Sequence, residues 1–120
     1  MIKREHELEN MVMENFKGGE GQIVIRQFLT KEESNGAGRV FAEITIPPGS
    51  SVGEHVHEGD FETYYVLKGK ALLNDNGTEV TLLPGEVNIC KDGEFHSIKN
   101  VGEDNLVLIA IVLFTKQQEV

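Results

Sequence analysis

Two histidines separated by one residue, His55 and His57, are the residues whose type and spacing most directly suggest chemistry. Alternate residues of a β-strand share a face, so these Cα atoms would lie roughly 6.6 Å apart and both imidazoles could converge on one metal ion. Glu62 opens the next strand-like run, where we expect the hairpin partner of the histidine strand. His96 lies in another extended segment. The four side chains are therefore candidates to hold one divalent metal ion inside a β-structure.

The segments that must position these residues have the pattern of short β-strands. From Gln22 onward, runs rich in valine, isoleucine, leucine, phenylalanine and tyrosine alternate with turn residues, and no helical period of useful length appears after Gly21. Many short strands with regular turns are typical of an all-β sandwich or barrel. A chain of 120 residues is long enough for one domain with one hydrophobic core.

The histidine segment also carries a longer signature. A pair of histidines alone would be weak evidence for a metal site. The spacing Gly49-x5-His55-x-His57-x4-Glu62-x6-Gly69, however, resembles the first signature of the cupin family at every fixed position. The glycines and the glutamate make this match much more specific than the two histidines by themselves.

A second stretch, Gly85-x5-Lys91-x-Gly93-x2-His96-x3-Asn100, is similar to the second signature of the same family. It departs at Lys91, where the family usually has proline. That proline shapes a turn and does not bind metal, so the departure affects local rigidity and leaves the ligand positions intact. Together the two stretches and the spacer cover residues 49–100, and the strand-rich flanks fit the rest of such a fold.

The resemblance implies a double-stranded β-helix, or jelly-roll, barrel with a metal ion in its wide mouth. It implies as ligands His55, His57, Glu62 and His96. Three nitrogens and one oxygen suit Mn, Fe, Co, Ni, Cu or Zn without choosing among them. Four protein ligands around an octahedral ion leave two positions for water, O2 or a bidentate small acid. The alternative, a buried polar network without metal, would need many other partners for these groups.

Two classes of function follow from this resemblance. The first is a metal-dependent enzyme, of the dioxygenase, decarboxylase or isomerase type, that acts on a small organic acid or a related metabolite. The second is a non-catalytic module that binds or senses such a molecule. Glu62 would be a ligand, and Glu43 and Glu54 are the carboxylates near enough in sequence to consider as a general base. No catalytic residue is assigned, and the sequence leaves the choice between enzyme and binding module open.

Three further residues are candidates for the ligand pocket. Arg26 and Arg39 lie within apolar strand runs, and either could bind a carboxylate of the ligand through a bidentate pair. The alternative for each is an arginine that faces solvent or pairs with an acidic side chain. Tyr64 shares a strand face with Glu62 and could line the pocket or pack in the core.

The chain divides into an N-terminal arm, residues 1–20, and the predicted barrel, residues 21–120. The arm is polar apart from Met11, Val12 and Met13, and it could be a short helix or an extended arm in contact with a second subunit. The run Leu106–Phe114 is apolar throughout, so we expect both faces of this strand to be covered. A second subunit would supply the outer cover, and we predict a homodimer.

The composition limits the remaining possibilities. A net charge of −9 disfavours binding to a phosphate backbone, so we expect no nucleic-acid partner. The partner that the resemblance implies is a small, anionic molecule bound at the open positions of the metal. No apolar run is long enough to span a membrane. The charged N-terminus has no apolar signal core, and the one cysteine, Cys90, has no partner for an internal disulfide. These features predict a cytoplasmic protein that is not inserted in a membrane.

Overall fold

A computed structural model describes residues 1–116 of the chain, and this part is built almost wholly of β-strands. Two single turns of 3-10 helix, Glu5–Glu7 and Phe16–Gly18, lie in the N-terminal segment. The described residues contain ten strands: β1 Asn10–Glu14, β2 Gln22–Gln27, β3 Gly38–Ile46, β4 Ser51–Val56, β5 Asp60–Lys68, β6 Ala71–Asp75, β7 Thr78–Leu82, β8 Val87–Cys90, β9 Phe95–Asn100 and β10 Leu106–Phe114. No helix of the described chain is long and apolar enough to cross a membrane.

The strands form two antiparallel sheets that enclose the core. The larger sheet has the order β1-β2-β3-β10-β5-β8, and the smaller sheet has the order β4-β9-β6-β7. Neighbours within a sheet are mostly distant in sequence, as β3, β10 and β5 show, which is the connectivity of a jelly-roll. The predicted all-β jelly-roll fold is therefore confirmed.

Strand alternation explains how one sequence supplies both the core and the site. On β5 the buried residues are Asp60, Glu62, Tyr64 and Val66, each two positions apart, and the residues between them face outward. The polar pair lies at one end of this face, and Tyr64 and Val66 continue into the hydrophobic core. One strand face therefore passes from a polar site to apolar packing within a few residues.

The strand Leu106–Phe114 follows the same alternation although its sequence does not. Leu106, Leu108, Ala110 and Val112 are buried between the sheets, whereas the residues between them are only partly buried. The described chain therefore covers one face of β10 fully and the other incompletely. Cover of the outer face by a second subunit stays a prediction.

The expected hairpin between the histidine strand and the Glu62 strand is wrong. β4 pairs with β9 in the smaller sheet, whereas β5 lies in the larger sheet between β10 and β8. Residues 57–59 carry the chain from one sheet to the other, with Gly59 at a positive φ of 79°. The histidines and Glu62 therefore face each other across the interior, from different sheets.

The N-terminal arm is a strand and not a short helix. β1 pairs with β2 along its whole length, with Met13 opposite Ile23 and Met11 opposite Ile25. The following turn lies against β4 so closely that a Cβ atom added to Gly53 would be 2.1 Å from the Lys17 carbonyl oxygen. The arm is thereby joined to the edge of the larger sheet and to one strand of the smaller sheet. Whether it also contacts a second subunit stays a prediction.

The turn at Lys91 is stabilised by a side chain in place of the proline of the family signature. The Lys91 backbone N–H donates to Glu94 Oε1 at 2.9 Å, and the Glu94 N–H donates back to the Lys91 carbonyl at the same distance. A proline has no N–H and could not make the first of these bonds. This chain therefore reaches a defined turn before β9 by a different local device.

Candidate metal centre

The structure brings together the four side chains that the sequence suggested as metal ligands. One nitrogen or oxygen atom from each of His55, His57, Glu62 and His96 lies within 4.8 Å of all the others. Glu62 Oε1 is at the centre of the group, at 3.3, 3.1 and 2.9 Å from the Nε2 atoms of His55, His57 and His96. All but His55 are buried. Such a cluster is able to bind a metal ion.

Both sheets contribute to this cluster. His55 on β4 is directly opposite His96 on β9 in the smaller sheet, and His57 follows just beyond the end of β4. Glu62 comes from β5 of the larger sheet and reaches the histidines across the interior. The site therefore depends on the packing of the two sheets, and none of the separate strands could form it.

Every imidazole of the cluster is oriented by an oxygen acceptor outside the cluster. The three contacts are His55 Nδ1 to the Gly53 carbonyl at 2.8 Å, His57 Nδ1 to Asp60 Oδ1 at 2.7 Å and His96 Nδ1 to Asn88 Oδ1 at 2.8 Å. Carbonyl and carboxylate oxygens only accept, so each Nδ1 carries the proton. The neutral rings then present the lone pairs of Nε2 to the centre, which is the arrangement that a metal ion requires.

The charge of Glu62 also suits a cation. Burial on its own would raise the pKa of Glu62, but the interactions with the three surrounding imidazoles outweigh it and hold that pKa well below its usual range. Burial likewise lowers the pKa of His57, yet hydrogen bonds to Glu62 and Asp60 leave the net value raised. For His96, burial prevails and the pKa is lowered. The cluster therefore holds an ionised carboxylate among imidazoles at neutral pH.

Tyr64 forms one wall of the site and belongs to the core as well. Its ring stacks on the imidazole of His96, with centroids 4.7 Å apart and planes 6° from parallel. Burial and the nearby charge of Glu62 raise the pKa of the Tyr64 phenol well above its usual range. The phenol is therefore neutral, and its stacked ring helps to fix the orientation of the His96 imidazole. Tyr64 also lines the cavity beside the cluster.

The two arginines that the sequence suggested for the pocket lie in different places. Arg39 lines the cavity, and its Nε donates to Asp60 Oδ2 at 2.9 Å, so it is linked through Asp60 to His57. Arg26 is absent from the cavity lining and pairs with Glu43 at 3.0 Å. Ile25 and Gln27, its neighbours on β2, line the cavity, so strand alternation turns Arg26 to the outer face. Arg26 therefore does not line this cavity.

The residues that orient the imidazoles were not found from the sequence. Asp60 follows His57 at a spacing of three, which was a usable signal. Asn88 is a polar residue in the apolar run of β8, and its contact with His96 depends on the pairing of β8 with β5. Asn100, the last fixed position of the second signature, donates to the Ile46 carbonyl at 2.7 Å and to the Asp104 carbonyl at 2.8 Å. It holds the loop between β9 and β10 and does not contact the cluster.

Comparison with known proteins agrees with this fold and cluster. The family model of the cupin domain matches residues 42–112. An oxalate-binding protein of Thermotoga maritima is 40% identical over 113 residues, which are 94% of this chain and 93% of that protein.

Two solved structures show the same fold. The crystal structure of a predicted oxalate decarboxylase from Thermotoga maritima superposes with a TM-score of 0.91 at 39% identity, over 95% of this chain and 99% of the other. The cupin domain of Cnp3 from Schizosaccharomyces pombe superposes with a TM-score of 0.70 at 16% identity, over 87% of this chain and 68% of the other. Together with the family-model match and the 40% identical relative, this likeness establishes that the chain belongs to the cupin family.

Proposed function

We propose that this protein holds one divalent metal ion through His55, His57, Glu62 and His96 and uses it to bind a small chelating organic acid. One observation is the main support for a bound metal ion. The Nε2 atoms of His55 and His96 are 3.0 Å apart, and the outer hydrogen bonds of both rings leave a lone pair on each of these atoms. Two lone pairs at this distance repel each other unless a cation lies between them. Manganese and iron are our first candidates within the wider set of Mn, Fe, Co, Ni, Cu and Zn.

The support of His96 by Asn88 gives the first test of this assignment. We expect Asn88→Leu to weaken metal binding by about 10- to 100-fold, because the Nδ1–H of His96 loses its acceptor and the ring its orientation. Asn88→Asp keeps an oxygen at the same position and should retain most of the affinity. The measurement is a competition titration of Mn(II) against a chromogenic chelator. Equal affinity in the leucine variant and the wild type would show that Asn88 does not orient a ligand.

The positive charges at the cavity and the similarity to a relative both support an acid as the bound molecule. A metal ion supplies Lewis acidity that attracts carboxylate oxygens when it is bound. Arg39 adds a cation at the cavity, and its Nε bond to Asp60 leaves the terminal nitrogens of the guanidinium as donors. The Thermotoga maritima relative is named for binding oxalate, a small acid of this kind.

The described lining of the cavity has no carboxylate outside the cluster that could act as a general base, which favours binding without turnover. Among its lining residues in the described chain, Glu62 is the one carboxylate, and Glu62 belongs to the cluster. Glu43 pairs with Arg26 on the outer face, and Glu54 lies within hydrogen-bond distance of Asn74 on the smaller sheet. Neither candidate general base reaches the cavity. A decarboxylase is the second candidate function, because the related crystal structure is described as a predicted oxalate decarboxylase.

A calorimetric titration separates these functions. Protein loaded with Mn(II) is titrated with oxalate, and CO2 release and O2 uptake are followed in parallel. We expect saturable binding at one site with neither gas exchanged, and no binding to protein freed of metal. Steady CO2 release would establish the decarboxylase in place of the binding protein. Absence of binding to the metal-loaded protein would overturn the proposed function.

A homodimer is the second part of the proposal. The outer face of the larger sheet has four apolar side chains that are between 43% and 53% exposed: Tyr65, Leu67, Val87 and Ile89. Ile109 and Ile111 on β10 continue this surface, since Ile109 lies opposite Tyr65. A contiguous apolar patch of a few hundred Å² is of the size that marks an interaction surface. Because the chain carries a net charge of −9, a second copy would pack most favourably through these uncharged side chains.

Substitution of Ile89 tests this surface. We expect Ile89→Lys to convert the dimer to a monomer, because each copy would bury a charge in the interface, while the metal content stays the same. Val80→Lys on the smaller sheet is the matched control, since Val80 has a similar exposure of 42%. The mass is measured by light scattering. A monomeric wild type, or a dimeric lysine variant, would contradict this interface.

A cytoplasmic location is also part of the proposal. Cys90 is the one cysteine of the chain, and it is buried. Burial raises the pKa of its thiol to about 12, so the thiolate is not available at neutral pH. A chain without an internal disulfide is typical of a reducing compartment. Fractionation of cells that produce the protein would test the location.

A further inference from the structure

The cavity beside the metal cluster is larger than oxalate needs. It has a volume of about 210 Å³, and His55, His57 and Glu62 form one end of it. An apolar cavity of about 150 Å³ holds benzene, which has as many heavy atoms as oxalate. Oxalate bound at the cluster would therefore leave part of the space unfilled by the ligand.

Apart from the cluster, the cavity is lined mainly by apolar side chains, and its other polar lining residues are Lys17, Gln27, Arg39 and Tyr64. Met13 and Ile25 come from β1 and β2, Val40 from β3, and Phe16 from the turn after β1. All four are partly buried and pack against the hydrophobic core. Water in contact with these four side chains has few polar partners, and a carboxylate placed against them would lose hydration. The one cation described beside this wall is Lys17, which lines the cavity with its Nζ 5.6 Å from the centre of the Phe16 ring. An apolar group, in contrast, would gain free energy by displacing that water.

The segment that supplies Phe16 is held at the cavity by its backbone. Asn15 and Lys17, on either side of Phe16, both adopt left-handed conformations, with φ of 48° and 56°. Lysine rarely adopts this conformation, and such strain persists where the surrounding structure imposes it, often at ligand sites. The close contact of this turn with Gly53 on β4 is the imposing structure here. The apolar wall is therefore a fixed part of the fold and does not depend on a flexible terminus.

The polar residues of the cavity can serve the other end of a ligand. Arg39 presents its terminal guanidinium nitrogens, and Gln27 uses its Oε1 to accept from the Phe41 N–H at 2.9 Å, which leaves its amide nitrogen as a donor. Arg39 is linked through Asp60 to His57, so this cation lies close to the metal cluster. The cavity thus has a polar end that suits a carboxylate and an apolar end that suits a hydrocarbon.

We infer that the ligand of this site is a 2-oxo acid with a branched aliphatic side chain. Its carboxylate and oxo group offer the same pair of adjacent oxygens as oxalate, and its hydrocarbon chain fits the wall formed by Met13, Phe16, Ile25 and Val40. This inference rests on the proposed function, because the acid is held at the metal cluster. It goes beyond the proposed function by specifying the part of the ligand that the metal does not contact.

A set of matched ligands tests the inference by calorimetry on protein loaded with Mn(II). Each buried methylene contributes about fourfold in affinity, so 4-methyl-2-oxopentanoate should bind at least about tenfold more tightly than pyruvate. The affinity for 4-methyl-2-oxopentanoate should exceed that for 2-oxoglutarate by a similar factor, because 2-oxoglutarate has a charged tail of comparable length. Oxalate serves as the reference for the head group alone. Equal affinity for the branched acid, pyruvate and 2-oxoglutarate would overturn the inference.

A variant of the apolar wall provides the second measurement. Met13→Gln has nearly the same size but a polar end, and we expect it to reduce the ratio of branched-acid to pyruvate affinity at least about fivefold. Val12→Gln is the matched control, because Val12 is the neighbouring residue of β1 and does not line the cavity. An unchanged ratio in Met13→Gln would contradict the inference. If oxalate binds but the branched acid binds no more tightly than pyruvate, only this inference fails. If no acid binds, the proposed function fails with it.

Discussion

Replacing His57 with alanine is expected to leave the purified protein without bound metal. Loss of a residue that only orients a ligand costs about 10- to 100-fold in metal affinity, so loss of a ligand should cost more than about 100-fold. His57 is buried, and its Nε2 is 3.1 Å from Glu62 Oε1, so no water or neighbouring side chain of the cluster can replace it without rearrangement. Elemental analysis of protein purified without added metal measures the result.

The chain supplies its own control for this experiment. His6 is the one histidine outside the cluster, and it lies in an exposed turn, so His6→Ala should keep one metal per chain. In the His57 variant, Asp60 keeps its bond to Arg39 and is not left as an unpaired buried charge. Glu62→Gln is a second variant, with a side chain of nearly unchanged shape, that should also weaken metal binding. Unchanged metal content in His57→Ala would show that the ligand assignment is wrong.

Removal of the metal from the wild-type protein is expected to lower its free energy of unfolding by about 4 kcal/mol, for a free metal concentration a thousandfold above Kd. For a chain of this size the melting temperature should fall by roughly 15 °C. The reason is that the folded protein gathers three imidazoles and a carboxylate that the unfolded chain keeps apart, so the metal binds the folded state in preference. Scanning calorimetry with and without a chelator measures the shift.

The His57→Ala variant distinguishes this effect from general effects of the chelator. Its melting temperature should be the same with and without metal, because it no longer binds the ion in the folded state. Val80→Lys, which changes the surface of the smaller sheet, should show the full shift of the wild type. A wild-type melting temperature that does not respond to metal would mean that the cluster is stable by its own hydrogen bonds and holds no ion.

The name of the relative and the lining of the cavity suggest different ligands for the proposed metal site. Under the proposed function, oxalate would use only the four clustered side chains with their metal and a nearby cation, and the relative named for binding oxalate is 40% identical to this chain. The apolar wall of Met13, Phe16, Ile25 and Val40 has no part in holding oxalate. If the branched acid proves the better ligand, oxalate is the head-group fragment of that larger ligand.

Much of the fold and the four clustered residues could be predicted from the sequence for a local reason. The spacing of His55, His57 and Glu62 lies within one short stretch, and alternation in a strand determines which side chains share a face. Turn residues at regular intervals mark the strand ends, and these signals need no knowledge of the partner strand. The all-β fold and the gathering of the four side chains follow from such signals together with the family resemblance.

Only the tertiary structure decided which strands pair and which face of each strand turns inward. β4 pairs with β9 and not with β5, because the chain crosses between sheets at residues 57–59. On β2 three successive apolar residues, Ile23, Val24 and Ile25, hide the alternation, so the outward direction of Arg26 could not be read from the sequence. Asn88 meets His96 through the pairing of distant strands. Alternation relates residues of one strand to each other, whereas the choice of partner and of inner face depends on how both sheets bury their apolar sides together.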